Sequence, residues 1–177
     1  MPTTYELADG DLNDILQAVM QQHHRGLADA EARICVLLAH ASTDENGDPV
    51  GPAVKNGPYS CAAKVRVTNL KERTLGHADA EIILDGDNYT IWGHNKTSAI
   101  LDHELSHLEF TGKRDPLDRP KLRLLPHDRQ FGWFDAVAER WGCDAVEVEQ
   151  AATVFEDLDI RQLYLPGFEP EPDEATV

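Results

Sequence analysis

Apolar residues in the first part of the chain recur with helical spacing. Leu12, Ile15, Leu16, Val19 and Met20 fall at i, i+3, i+4, i+7 and i+8. A helix that Asp11 can cap therefore has one apolar face, and it ends near Gly26. ICVLLAHA (34–41) is a short continuous apolar run, the pattern of a buried strand. The stretch 42–60 is rich in Gly, Pro, Asp and Asn and predicts a long loop. AAKVRVTNL (62–70) alternates around Val65 and Val67, and DAEIILDG (79–86) stops at Gly86; both read as strands.

Helical spacing returns in AILDHELSHLEF (99–110). Asn95 or Thr97 can cap this helix, and Gly112 stands where a C-terminal glycine belongs. Leu101, Leu105 and Leu108 form one stripe. His103 and His107 lie nearly opposite, beside Ile100 and Phe110, so the helix is expected to be covered on both sides. KRDPLDRPKLRLLP (113–126) reads as a basic connection, and HDRQFGWFDAVAERW (127–141) as a helix ended by Gly142. Asp144 with Glu147 makes an Asp form of the capping box for a last helix reaching about Leu158. The pattern predicts an α+β domain over residues 1–160, with an acidic, flexible tail at 161–177.

Composition narrows the function classes. With 177 residues, 41% of them hydrophobic, the chain has enough for one domain with a real core. The formal net charge is -16. Residues 144–177 hold ten acids and one base, Arg161, a balance of -9. No broad phosphate-neutralising face follows, so direct nucleic-acid binding is not expected. The tail reads as a solvated segment. No apolar run reaches membrane-spanning length, and MPTTYELADGD lacks the basic and apolar regions of a signal peptide, so a cytoplasmic location is expected. Cys35, Cys61 and Cys143 are scattered, which argues for reduced thiols.

The chemistry concentrates at His103-Glu104-Leu105-Ser106-His107, which fits H-E-x-x-H. Residues i and i+4 share a helix face, so two imidazoles can hold one zinc ion at about 2.0–2.1 Å. The glutamate beside the first histidine can take a proton from the attacking water, whose pKa zinc lowers to roughly 7. A catalytic zinc usually has three protein ligands. The long metzincin form fails at Phe110 and Lys113, and a downstream E-x-x-x-D fails because Cys143 follows Glu139. Cys61 upstream of the motif is similar to the peptide deformylases, but their G-x-G-L-A-A-P-Q and E-G-C-L-S segments are absent. His127 is the best third ligand: in a helix from 127 it shares a stripe with Phe131, Phe134, Ala138 and Trp141 and so faces inward. Asp102 and Asp128, each next to a proposed ligand, are candidates to orient one.

AILDHELSHLE (99–109), DRPKLR (118–123) and HDRQFGWFDAVAERWG (127–142) together resemble the putative phage metallopeptidase family, and the likeness extends over about residues 10–160. It matches the family pattern at His103, Glu104, His107, His127 and Asp128. The resemblance implies a minimal zincin-like domain, with a small mixed sheet and an edge strand packed on the active helix, and a phage- or prophage-encoded protein in the host cytoplasm. It implies a zinc metalloendopeptidase with one Zn2+ per chain and a protein or peptide substrate. More distantly the chain is similar to SprT-like proteases, but it lacks their four-cysteine module. In zincins the strand before the active helix pairs with extended substrate; here that would be Glu81, Ile82, Ile83 and Leu84. The alternative is a phage-encoded binding protein, acting on a host factor, whose zinc is structural or vestigial.

In the tail, Gln162-Leu163-Tyr164-Leu165-Pro166 resembles the short peptides by which bacterial replication proteins dock on the sliding clamp. Gln162, Leu163, Leu165 and Pro166 would make that contact with the host clamp. The bland reading is that Leu163, Leu165 and Phe168 tie the chain end to the domain.

Overall fold

The structure, a computed structural model, describes residues 3–127 and 134–157. Asp128 and the tail peptide Gln162, Leu163, Leu165 and Pro166 lie outside the described residues. A four-stranded sheet has the order β1 (Thr4–Leu7), β2 (Ile34–His40), β6 (Ala80–Asp85), β5 (Ala63–Val67). β2 and β6 run parallel and the two outer pairs are antiparallel, so the sheet is mixed. Together with its helices this makes an α+β domain.

Two helices build the core against this sheet. α1 (Gly10–His23) is capped by Asp9, whose carboxylate accepts the Leu12 N–H at 2.8 Å, slightly upstream of the expected Asp11. Its Leu12, Leu16, Val19 and Met20 are buried, as the spacing requires. They pack with Ile100, Leu101 and Leu105 of α5 (His94–Ser106) and with Val36, Leu38, Ile82 and Leu84 of the strands. Each such side chain contributes about 1.5–3 kcal/mol on burial. α5 is buried without a break from Thr97 to Leu105, which confirms a helix covered on both sides.

Several expected elements change. β6 is not the edge strand: Glu81, Ile82, Ile83 and Leu84 each have partners in both β2 and β5. An apolar run such as AEIILD suits a strand enclosed between neighbours. Among the described residues the outer strand near the active helix is β5. The helix of the motif stops at Ser106, with Gly93 as its N-cap and His107 as its C-cap. Leu108–Arg114 then forms β7, paired antiparallel with β8 (Pro120–Leu124) across what read as a connection. Gly112 sits in the register shift between Phe110 and Arg114 with φ +76°, so it serves a bulge rather than a helix end. Within the expected 42–60 loop, β3 (Lys55–Asn56) and β4 (Tyr59–Ser60) form a small hairpin. The short helices α2 (Arg25–Asp29), α3 (Leu70–Thr74) and α4 (Gly86–Tyr89) complete this part. Buried Arg73 of α3 donates to the Asp115 carboxylate and to the Pro120 carbonyl, both at 3.0 Å, and so fastens the β7–β8 hairpin to the sheet.

After His127 the described chain resumes with Phe134, α6 (Asp135–Trp141), a 3-10 turn (Gly142–Asp144) and α7 (Val146–Asp157). α6 and α7 both pack on α5. No helix among the described residues is long and apolar enough to cross a membrane.

Candidate metal centre

His103 and His107 leave the last turn of α5 on one face, four residues apart. His127 reaches them from the segment after β8, not from the expected helix: residues 125–127 have no regular secondary structure. What turns it inward is the hairpin, because β8 runs back along β7 and delivers the chain to the end of α5. The ring nitrogens of the three histidines offer one ligand atom each within 4.8 Å of one another, and these residues could hold a metal ion.

The hydrogen bonds fix which nitrogens face inward. His103 Nδ1 lies 2.7 Å from Glu147 Oε1, and His107 Nδ1 lies 2.8 Å from the Leu125 carbonyl oxygen. A carboxylate and a carbonyl only accept, so each Nδ1 carries the proton and donates it. In a neutral ring so oriented Nε2 is the bare nitrogen, the one that can ligate a metal. His103 Nε2 is 3.2 Å from His127 Nε2. Burial holds the His107 imidazole below its ordinary pKa, which favours the neutral ring further. Three neutral imidazoles suit a divalent transition metal such as zinc.

Glu104 follows His103 on α5 and is buried. Burial pushes its carboxyl up to about 7; His103 and the nearby Val65 backbone N–H work against this, and nearby Glu147 adds to it. A divalent cation at the histidines would pull it back down. The influence of Val65 puts Glu104 near the side of β5 that faces away from β6. Ala62 and Thr68 are hydrogen-bonded across to Asp85 and Asp79. Antiparallel pairing alternates, so the backbone groups of Ala63, Val65 and Val67 face away from β6.

The chain matches the family model described as "Putative phage metallopeptidase" over residues 3–156. The chain belongs to this family. It matches no curated protein and no solved structure. The family's description implies peptide substrates and agrees with a histidine cluster able to hold a metal.

In this family member Asp102 has partners other than the metal-facing histidines. Its buried carboxylate accepts from Trp141 Nε1 at 2.7 Å, from Arg140 Nη2 at 2.7 Å and Nε at 2.9 Å, and lies 2.6 Å from His24 Nε2. Adjacent helix positions diverge by about 100°, so Asp102 points to α1 and α6 while His103 points to the cluster. Cys61 is not in the histidine cluster, and burial, then the Glu104 charge, pushes its thiol up to about 11. It helps line a cleft of about 550 Å³, beside the start of β5, with Ala62, Trp92, Lys96 and Glu149.

Sequence reasoning missed the role of two members of the site. Glu147 read as a capping residue, yet it is buried against His103. Its signal was position: it precedes Ala151 by four residues and borders the apolar stripe of that helix. Phe134 is buried with its ring centre 5.1, 4.9 and 5.3 Å from those of His103, His107 and His127. It gives the cluster an apolar wall, which strengthens electrostatic interactions inside.

Proposed function

We propose that the protein is a zinc-dependent metalloendopeptidase with a zincin-like site. His103, His107 and His127 would hold one Zn2+, and Glu104 would be the general base. The observation that carries this reading is the convergence of the three imidazoles beside a buried glutamate, near a strand that is outermost in its sheet among the described residues. Zinc there would supply Lewis acidity, polarising the scissile carbonyl and acidifying water.

The chain's own residues do the rest. Extended substrate would add to β5, using the outward backbone groups of Ala63, Val65 and Val67. That places the scissile amide over the last turns of α5. The Glu104 carboxylate would take the proton of the attacking water and return it to the leaving amine nitrogen. Substrate running toward Cys61 would reach the adjoining cleft about 13 Å from Val65, at about 3.3 Å per residue.

Metal analysis tests the site. The purified protein is expected to hold one equivalent of zinc, lost in His103→Ala or His107→Ala. A wild type that contains no zinc and cannot be loaded with it rules the reading out. The second reading is a zinc-containing binding protein acting on a host factor. The Phe134 wall favours it, because it covers the cluster as a structural site would be covered. Biological activity that survives Glu104→Gln would select that reading.

A further inference from the structure

We propose that Glu147 is the positioning residue of the metal centre. It fixes the His103 ring with Nε2 toward the metal. This rests on the metallopeptidase reading.

Glu147 lies on α7, 44 residues from His103, and is 1% exposed. Its Oε1 is 2.7 Å from His103 Nδ1. Among the described residues its Oε2 is buried with no hydrogen-bond partner. A carboxylate placed so is costly for a fold: it is out of water, bound to a neutral imidazole and half satisfied. A glutamine or a methionine would fill the same space more cheaply. The cost is offset if a positive charge belongs nearby. Three imidazoles bring no charge to a divalent cation, and the cluster lies against the apolar Phe134 ring. Glu104 and Glu147 are both buried. Glu147 cannot hold the same metal as His103 Nε2, because its oxygen is bonded to the opposite nitrogen of that ring. It acts through His103, as carboxylates behind metal-bound histidines do.

The test is zinc affinity, measured by competition with a chromophoric chelator on wild type and Glu147→Gln. Glutamine keeps the shape and removes the charge, and a roughly 10- to 100-fold weaker affinity is expected. Equal affinity overturns the proposal. A second measurement does not depend on the variant folding: NMR of 15N-histidine-labelled, zinc-loaded wild type. The expected His103 signature is a protonated, exchange-protected Nδ1 and a metal-bound Nε2. Zinc on Nδ1, or an unprotected Nδ1 proton, overturns the proposal. If the wild type binds no zinc, the metallopeptidase reading falls and this inference with it. If it binds zinc and Glu147→Gln binds it equally well, only this inference falls.

Discussion

The Glu104 carboxylate on α5 lies near the backbone N–H of Val65 on β5, which favours its charged form. The candidate base on α5 thereby sits next to β5, the outer strand of the sheet among the described residues. A peptide pairing with that strand arrives beside Glu104 and the three histidines without any further device.

Peptide pairing along β5 predicts a backbone requirement in the substrate. In a cleaved peptide, N-methylation of a residue that pairs with Ala63 or Val67 removes one N–H donor. One lost hydrogen bond of about 1–1.5 kcal/mol corresponds to a roughly tenfold rise in KM. Steady-state kinetics on the methylated series checks this. A KM unchanged at every methylated position argues against pairing with β5.

Zinc should stabilise the fold, because the ligand atoms come from two distant segments, α5 and the chain after β8. At zinc a hundredfold above Kd the gain is about 2.7 kcal/mol, or about 5–10 °C in Tm. Thermal unfolding with zinc, then with excess chelator, should show the shift and its reversal. His127→Ala should lose most of it.

Asp102 predicts a stability effect without a ligand effect. Asp102→Asn leaves Arg140, Trp141 and His24 facing a neutral amide in a buried place. A loss of about 2–4 kcal/mol in denaturant unfolding of the metal-free protein is expected. A loss below about 0.5 kcal/mol, the range of ordinary surface changes, would contradict the role given to it.

A pH dependence follows from His40 and Asp87, at the end of β2 and on α4. The hydrogen bond with Asp87 raises the His40 pKa above its ordinary 6.5. The Ala41 backbone N–H lowers Asp87 below its ordinary 3.8. A raised histidine stabilises fully below its unfolded value and loses this as pH rises through the folded value. A depressed aspartate stabilises fully above its unfolded value and loses this as pH falls through the folded value. Both contributions are therefore whole from about pH 4 to about 6.5. The Tm difference between wild type and Asp87→Asn should peak there and shrink toward pH 9 and toward pH 2. A difference constant across the range would refute the assignment.

Much of this was legible in the sequence. The apolar face of α1, the strands at 34–40, 63–67 and 80–85, and the buried α5 all follow from periodicity. His103, Glu104 and His107 were legible because H-E-x-x-H fixes geometry through helix pitch alone. His127 was found for a reason that does not hold, since it lies after β8 and not on a helical stripe. The break of α5 at Ser106 was hidden because Leu108 and Phe110 continue an apparent helical pattern, whereas pairing with β8 decides their conformation. β6 read as the edge strand although β2 and β5 enclose it, because strand order is a tertiary property. Glu147 was misread because its acceptor role depends on a ring 44 residues away.

The most direct measurement is cleavage of a peptide library by zinc-loaded wild type and by zinc-loaded Glu104→Gln. The account predicts defined cleavage by the wild type, and a fall of at least about 100-fold in the variant at one equivalent of zinc in both. A zinc-loaded wild type that cleaves nothing, or a variant that cleaves as fast, would contradict it.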